Sequence, residues 1–331
     1  MTAVAVIGAG AWGATFARVA ALAGCDVTLA CRTPQQAQML ATTRHDSRHL
    51  GDVPLPDQVR VTHVGDASWT QGVSLVVIAL PSRAVGEETA RVAAALPAGA
   101  GVLSLTKGLE PGTGRLLSEV WRDALGPDVP FAVLSGPNHA EEIAAGQPAA
   151  AVVSGDLALS ERVQAAVSGQ AFRVYVNDDL AGVELCGAAK NVIALAAGMS
   201  DGLGFGDNAK AALITRGLAE MTRLGAYSGC SDATFRGLAG MGDLIATCTS
   251  RHSRNRRAGE MIATGTPANR VEAEIGQTVE GLATVRALLA RAERVGVELP
   301  ISAQVAAAAF DGRAPAECLR VLMSRAPASE R

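Results

Sequence analysis

The 331-residue sequence has few aromatic side chains and no strong excess of charge of either sign. Phe, Trp and Tyr make up 3% of the residues, and the formal net charge is −3. Nucleic-acid-binding domains usually combine a basic surface with stacking aromatics, so we expect no nucleic-acid partner. The six cysteines form no CxxC pair and have no histidine at the spacing of zinc ligands. We therefore expect no metal site.

The sequence also lacks long uninterrupted apolar runs. Glu184 and Lys190 interrupt the longest one, which leaves it short of the ~20 apolar residues that cross a bilayer. The amino terminus passes into a predicted strand without the charged region of a secretory signal. We expect a cytoplasmic protein that does not span a membrane, in which Cys25 and Cys31 are small apolar core residues.

A glycine-rich turn follows the first predicted strand. An apolar run at 2–7 leads into Gly8-Ala-Gly-Ala-Trp-Gly13 and then into an alanine-rich stretch at 14–23. Dinucleotide binding requires this order of strand, turn and helix. Gly8 permits the tight turn, Gly10 lets the backbone approach a pyrophosphate, and Gly13 lets the helix pack closely on the strand. The helix amino terminus then binds the phosphates.

The end of the second predicted strand, 26–31, bears on the choice of cofactor. NAD-binding sites place an acid there for the ribose 2′-hydroxyl, but Asp26 stands at the opposite end and Arg32 occupies the position. An arginine there meets a 2′-phosphate or stacks on adenine. The alternative is an ordinary solvated arginine.

The strand and helix pattern changes once along the chain. Near-continuous apolar strands alternating with helices predict an α/β fold with a mostly parallel, doubly wound sheet. After 177–179 the β pattern stops, so we predict a dinucleotide-binding domain at 1–178 and an all-helical domain at 179–331. The later strands are predicted at 59–62, 73–80, 101–105, 131–134, 150–153 and 172–176, and the later helices at 179–199, 207–227, 251–264, 281–295, 301–310 and 315–324.

Two strand ends carry residues suited to chemistry. Lys107 follows the strand at 101–105, and Gly136-Pro-Asn138 follows the strand at 131–134. Ligands of such sheets bind beyond the carboxyl ends of the strands, so we expect both segments to face the cleft. Lys107 as an ordinary loop lysine is the alternative.

The apolar segment at 180–199 holds the leading catalytic candidate. Only Glu184, Lys190 and Asn191 are strongly polar there, which predicts a helix buried on most sides. A buried ammonium group is costly unless it is paired or faces a polar cavity. The alternative is a structural lysine paired with a carboxylate such as Glu184, although six residues apart on a helix places the two on different faces.

Two polar clusters interrupt the helical half. Residues 238–244 predict a glycine-rich turn that fixes Asp243, and residues 249–257 predict a basic helix start that contains Ser253 and Arg254. A hydroxyl, an amide and arginines at the positive end of a helix suit a small phosphate. A solvated basic face is the alternative.

With these motifs in place, the sequence resembles the bacterial-type NAD(P)-dependent glycerol-3-phosphate dehydrogenases nearly from end to end. The resemblance implies reversible reduction of dihydroxyacetone phosphate to sn-glycerol 3-phosphate with NADP(H) or NAD(H), for phospholipid synthesis in the cytoplasm. It also implies a Rossmann domain, a helical domain like that of 6-phosphogluconate dehydrogenase, and a homodimer. The motifs that carry it are Gly8-Ala-Gly-Ala-Trp-Gly13, Leu105-Thr-Lys-Gly-Leu109, Ser135-Gly-Pro137, Glu184-Leu-Cys-Gly-Ala-Ala-Lys-Asn191, Gly204-Phe-Gly-Asp-Asn-Ala-Lys-Ala211, Gly240-Met-Gly-Asp243, Ser253-Arg-Asn255 and Gln277-Thr-Val-Glu-Gly281.

The resemblance implies residue roles position by position. Lys190 is the implied acid/base, which protonates the developing alkoxide in the reduction and must be neutral for the oxidation. The implied substrate contacts are Lys107, Gly136, Asn138, Lys190, Asp243, Ser253, Arg254 and Asn255. The implied cofactor contacts are Gly8, Gly10, Ala11, Trp12, Gly13, Arg32, Lys107, Ala140, Arg254, Thr278 and Glu280. The sequence departs from the family at Ala11, where serine is common, at Asn138-His139, where serine or threonine and an aromatic are common, and at Thr278, where valine is common.

Two other functions remain open. One is a different hydroxy-acid or keto-acid reductase on the same plan, in which a substrate carboxylate meets Arg254. The other is a non-catalytic NADP(H)-responsive binding protein. A lysine within an apolar helix argues against the second, because a sensor needs no proton donor there.

Overall fold

A computed structural model describes residues 2–45 and 53–325, and its first half is built on one eight-stranded sheet. The strand order is β3-β2-β1-β4-β5-β6-β7-β8, and every pair is parallel except β6 with β7. The predicted doubly wound, mostly parallel sheet is thereby confirmed. The strands are β1 Ala3–Ile7, β2 Asp26–Cys31, β3 Arg60–His63, β4 Leu75–Ile78, β5 Gly101–Ser104, β6 Phe131–Ser135, β7 Ala149–Gly155 and β8 Phe172–Asn177.

Helices cover both faces of this sheet. Alternate residues of a strand point to opposite faces, so Val4 and Val6 enter one apolar core while Ala5 and Ile7 enter the other. The second core continues into the helical half, which therefore packs on that side of the sheet. The helices of the sheet half are α1 Ala11–Leu22, α2 Pro34–Thr43, α3 Ser82–Ala95, α4 Leu117–Leu125, α5 Ala140–Ala144 and α6 Leu157–Val167.

The second half is helical and surrounds one central helix, α7. Residues 182–200 of α7 are all buried, and α8, α10, α11 and α13 pack around it. The helices are α7 Leu180–Gly202, α8 Asp207–Tyr227, α9 Asp232–Arg236, a π-helical turn at Leu238–Gly242, α10 Asp243–Thr249, α11 Arg254–Ala263, α12 Ala268–Ile275, α13 Glu280–Arg294, α14 Pro300–Phe310 and α15 Pro315–Met323.

Among the described residues, α7 is the one helix long and apolar enough to cross a membrane by length and composition. Glu184 and Lys190 interrupt its apolar run, as expected, but the average hydropathy of the helix still meets this criterion. However, 89% of its apolar window is buried inside the protein. This burial identifies α7 as a core helix.

The structure corrects the predicted glycine-rich turn at 238–244, which is helical. At Gly240 a Cβ atom would lie 2.0 Å from the carbonyl oxygen of Phe235, so the glycine serves close packing rather than a change of chain direction. Helices α9 and α12 were also missed. Helix α9 has five residues and α12 has eight, of which only Val271 is buried, so both are too short to show a long apolar pattern.

Candidate active site

A cavity of about 1110 Å³ separates the carboxyl ends of the strands from the helical half. It lies beside β1 and β4, where the strand order reverses, which is where open α/β sheets bind their ligands. Gly136 is the one predicted site residue that does not line it. The others do: Gly8, Gly10, Ala11, Trp12, Gly13, Arg32, Lys107, Asn138, Ala140, Lys190, Asp243, Ser253, Arg254, Asn255, Thr278 and Glu280.

The glycine turn between β1 and α1 has the geometry that a pyrophosphate requires. Gly8 has a φ of +104°, and a Cβ atom there would lie 2.5 Å from the carbonyl oxygen of Ala79. A Cβ atom on Gly13 would lie 1.9 Å from the carbonyl oxygen of Gly8, whereas one on Gly10 would meet nothing within 4 Å. The turn is therefore closed on its protein side and open where a phosphate would approach the first amides of α1.

The far end of the cavity contains Arg32, directly after β2. Its side chain is exposed, and within the described part of the chain it forms no hydrogen bond or ion pair. Asp26, at the other end of β2, pairs with Arg60 at 2.7 Å. The end of β2 that faces the cavity thus carries a cation and no acid.

Two lysines share one buried carboxylate at the centre of the cavity. Asp243 Oδ1 accepts a hydrogen bond from Lys190 Nζ at 2.6 Å, and its Oδ2 accepts one from Lys107 Nζ at 2.7 Å. Lys190 is 6% exposed and Asp243 is 2% exposed. The alternative pairing of Lys190 with Glu184 was wrong, because Glu184 accepts hydrogen bonds from the backbone N and the Oγ of Ser118.

Burial and charge shift the protonation equilibria of this cluster in opposite directions. Burial lowers the pKa of Lys107 to about 7, although the Asp243 carboxylate opposes the shift. Burial alone would raise the pKa of Asp243, but the two ammonium groups outweigh it and hold that pKa below its usual range. The carboxylate therefore stays ionised between two amines, one of which titrates near neutral pH.

Thr247, which was not among the predicted site residues, also contacts Lys190. Thr247 Oγ1 accepts a hydrogen bond from Lys190 Nζ at 2.7 Å and donates one to the Asp243 carbonyl oxygen at 2.6 Å. Asp243 and Thr247 lie one turn apart on α10. The i,i+4 spacing could have revealed the pair, but this segment was predicted as a turn.

The turn after β6 surrounds the second lysine. Lys107 Nζ donates to the Gly136 carbonyl oxygen at 2.9 Å and to Asn138 Oδ1 at 2.8 Å. Gly136 therefore contacts Lys107 through its carbonyl oxygen, although it does not line the cavity. Asn138 Nδ2 is buried and has no hydrogen-bond partner among the described residues, so it offers a free donor beside the lysines.

The predicted phosphate turn lies at the start of α11. Ser253 is the N-cap residue, and its Oγ accepts a hydrogen bond from the Arg256 backbone N at 3.2 Å. Arg254 Nη1 donates to the Thr278 carbonyl oxygen at 3.1 Å. The Asn255 side-chain amide forms two hydrogen bonds to other residues. Its Nδ2 donates to Asn191 Oδ1 at 2.9 Å, and its Oδ1 accepts from Gly281 N at 2.8 Å.

Glycines bring this turn close to Lys190. Helix α11 crosses α7 in backbone contact, since a Cβ atom on Gly198 would lie 1.7 Å from the Arg256 carbonyl oxygen and one on Gly259 would lie 2.0 Å from that of Leu195. Only glycine allows such an approach. The crossing fixes the start of α11 beside the helix that carries Lys190.

Contacts across the cavity join the two halves. Glu280, a predicted cofactor contact, accepts hydrogen bonds from Ser82 Oγ at 2.6 Å and Ser82 N at 3.3 Å. Thr278 Oγ1 accepts one from Arg83 Nη2 at 3.4 Å. Within the sheet half, the carbonyl oxygen of Ala140, at the start of α5, accepts one from Thr15 Oγ1 at 3.2 Å. Ala140, Thr278 and Glu280 all line the cavity.

Comparisons with known proteins agree with this geometry over nearly the whole chain. The family described as NAD-dependent glycerol-3-phosphate dehydrogenase matches in its amino-terminal part at residues 3–158 and in its carboxyl-terminal part at residues 179–320. A relative from Frankia casuarinae named glycerol-3-phosphate dehydrogenase [NAD(P)+] is 47% identical and covers 100% of this chain and 98% of its own. One of the same name from Stenotrophomonas maltophilia is 44% identical over 97% of this chain and 94% of its own.

A solved structure of glycerol-3-phosphate dehydrogenase from Coxiella burnetii superposes with a TM-score of 0.93. It is 38% identical and covers 98% of this chain and 99% of its own. Sequence family, fold and cavity therefore agree, and this chain belongs to the NAD-dependent glycerol-3-phosphate dehydrogenase family.

Proposed function

We propose that this chain reduces dihydroxyacetone phosphate to sn-glycerol 3-phosphate with NADPH or NADH, and catalyses the reverse oxidation. The observation that carries the proposal is one cavity that holds three parts: the glycine turn, the Lys107–Asp243–Lys190 cluster and the Ser253 turn. They match the three things the reaction needs, namely a dinucleotide site, a proton donor and a phosphate site. The product is used for phospholipid synthesis.

The hydrogen bonds of the two lysines support Lys190, rather than Lys107, as the proton donor. An ammonium group has three donors. Lys107 directs all three to Gly136, Asn138 and Asp243, whereas Lys190 directs two to Asp243 and Thr247. Its third donor is available to a substrate oxygen in the cavity.

The residues then act as follows. The nicotinamide, when bound, supplies the hydride for reduction or takes it up in oxidation. Lys190 protonates the substrate oxygen as the carbonyl is reduced and removes that proton in the reverse direction. Asp243 holds both lysines in place, and the free Asn138 Nδ2 donates to the substrate. Ser253, Arg254 and the remaining amide hydrogen of Asn255 bind the phosphate, which a helix amino terminus also favours.

At the other end, the backbone of the glycine turn with Ala11 and Trp12 binds the pyrophosphate, and Arg32 contacts the 2′-phosphate of NADPH. Ala140, Lys107, Arg254, Thr278 and Glu280 line the remainder of the cofactor site. Because Ala11 contributes backbone rather than side-chain groups, the missing serine hydroxyl has little effect.

The test is oxidation of NADPH and NADH by the purified protein with dihydroxyacetone phosphate beside a panel of keto acids. We expect turnover with dihydroxyacetone phosphate, sn-glycerol 3-phosphate as product, and little activity with the keto acids. Turnover of a keto acid without turnover of dihydroxyacetone phosphate would refute the proposal and favour the reductase alternative.

We also propose a two-domain, homodimeric organisation in the cytoplasm. A boundary near 178 is supported by the positions of β8, which ends at Asn177, and α7, which begins at Leu180. The homodimer is supported by the family resemblance, because dimers are usual in that family. Light scattering of the purified protein should give twice the chain mass, and a monomer mass at all concentrations would contradict the dimer.

A further inference from the structure

An ion-pair network lies beside the phosphate turn, and none of the roles described above includes it. Asp201 lies near the end of α7, with Oδ1 2.7 Å from Lys210 Nζ on α8 and Oδ2 2.5 Å from Arg256 Nη1 on α11. The three side chains are only 12%, 21% and 18% exposed, respectively. Ion pairs that are shielded from water in this way are stronger than those at the surface. Lys210 also belongs to the Gly204-Phe-Gly-Asp-Asn-Ala-Lys-Ala211 motif, which has no assigned role.

Arg256 connects the two helices that carry the reactive groups. Its Nε donates to the Ser250 carbonyl oxygen at 3.2 Å, and its backbone N donates to Ser253 Oγ at 3.2 Å. Ser250 directly follows α10, which carries Asp243, and Ser253 caps α11. Arg256 therefore spans the short turn between the carboxylate and the phosphate turn.

Asp201 fixes this arginine from another helix. The Arg256 backbone is already pressed against Gly198 of α7, and Asp201 holds the guanidinium three residues further along the same helix. The other carboxylate near Arg256 is Glu260, at 3.6 Å, which is 45% exposed and lies on α11 itself. Of these two contacts, only the one with Asp201 ties α11 to the helix that carries Lys190.

We propose that Asp201 is a positioning residue that acts through Arg256 and fixes the distance between the Lys190–Asp243 pair and the Ser253–Arg254 turn. The inference rests on the proposed function, because it takes the turn to be the phosphate site. A substrate anchored at its phosphate reacts at its carbonyl group, so a shifted turn misplaces the carbonyl. Misplacement by about 1 Å can cost roughly 10²-fold in rate.

The test compares Asp201→Asn with Glu260→Gln, since each removes one negative charge beside the same guanidinium. Asp201→Asn should lower kcat/KM for dihydroxyacetone phosphate by about tenfold or more. It should leave the KM for NADPH and the kcat/KM for unphosphorylated dihydroxyacetone unchanged. Glu260→Gln should change each value by less than about twofold. Equal losses with the two substrates would mean general loosening and would overturn the inference.

A second variant decides the matter if Asp201→Asn does not fold. Arg256→Met removes both the ion pair with Asp201 and the Nε donor to Ser250, so it should lower kcat/KM for dihydroxyacetone phosphate but not for unphosphorylated dihydroxyacetone. An unchanged kcat/KM for dihydroxyacetone phosphate would overturn the inference. Arg254→Ala distinguishes a failure of the proposed phosphate site from a failure of the positioning role of Asp201. If it does not discriminate between the two substrates, the phosphate site is wrong; if it does and the Asp201 and Arg256 variants do not, only the positioning role is wrong.

Discussion

The two ends of the cavity are built in different ways. The proposed pyrophosphate site at the cofactor end is one continuous segment, Gly8-Ala-Gly-Ala-Trp-Gly13, and relies on the backbone geometry of its glycines. The reactive end joins charged side chains that are far apart in sequence, since Lys107 and Asp243 are separated by 136 residues. Binding a pyrophosphate needs local shape, whereas proton transfer needs buried charges that are paired through tertiary packing. Side-chain substitutions should therefore affect chemistry at one end and affinity at the other.

Removal of the reactive amine should have the largest effect. Lys190→Ala removes the proposed proton donor and should lower kcat for dihydroxyacetone phosphate by about 10²- to 10⁴-fold. NADPH affinity should stay nearly intact, because the glycine turn is untouched. Steady-state kinetics and fluorescence titration with NADPH measure the two quantities. A variant that keeps more than about a tenth of the wild-type kcat would exclude Lys190 as the donor.

Arg254→Ala should have the next largest effect, and it sharpens the comparison within the reactive end. Loss of a charge-assisted hydrogen bond to the phosphate should lower kcat/KM for dihydroxyacetone phosphate by about 10²-fold. Unphosphorylated dihydroxyacetone should be affected far less. Parallel kinetics with both substrates provide the check, and equal losses would refute phosphate recognition at this turn.

Arg32→Ala addresses the cofactor end. It should lower kcat/KM for NADPH by about 10- to 150-fold, toward the lower limit because the side chain is exposed. The loss with NADH should be several-fold at most, since the pyrophosphate site is shared by both cofactors. Both values must be measured at one salt concentration because the contact is ionic. An unchanged NADPH to NADH ratio would show that Arg32 does not recognise the 2′-phosphate.

Glu184→Gln should change turnover least, although Glu184 lies on the same helix as Lys190. Burial raises the pKa of Glu184 from 4.5 to about 7. The contribution of Glu184 to the free energy of unfolding is therefore fully present below pH 4.5 and is lost as the pH rises through about 7. In the wild type we expect this loss of stability to be about 1 to 3 kcal/mol. Glu184→Gln should not show it, because the amide does not ionise.

Urea unfolding of wild type and Glu184→Gln at about pH 5 and pH 8 measures this difference. The kcat of the variant should stay within about twofold of wild type, because Glu184 contacts Ser118 and does not line the cavity. A parallel pH dependence in both proteins would show that another group is responsible.

The same contrast explains what the sequence could predict. The glycine turn, Arg32, Lys107 and Asn138 could be placed at the cavity from the sequence, because each follows directly on a strand that local patterns specify. The isolation of Lys190 in an apolar helix also marked it as unusual. Its partner Thr247 was not found, because the glycines before Asp243 predicted a turn, whereas Gly240 is required for close packing against the Phe235 carbonyl oxygen within a helical segment. The Asp201–Arg256 pair depends on how α7 and α11 cross, and no local pattern encodes that crossing.

The central claim is that one end of the cavity carries out proton transfer and the other binds the cofactor. It is tested most directly by measuring NADPH affinity and kcat in both Lys190→Ala and Arg32→Ala. The account predicts opposite outcomes. Lys190→Ala should lose turnover and keep NADPH affinity, and Arg32→Ala should lose NADPH affinity and keep kcat at saturating cofactor. If either variant loses both quantities to a similar extent, the two ends do not act separately and the account is contradicted.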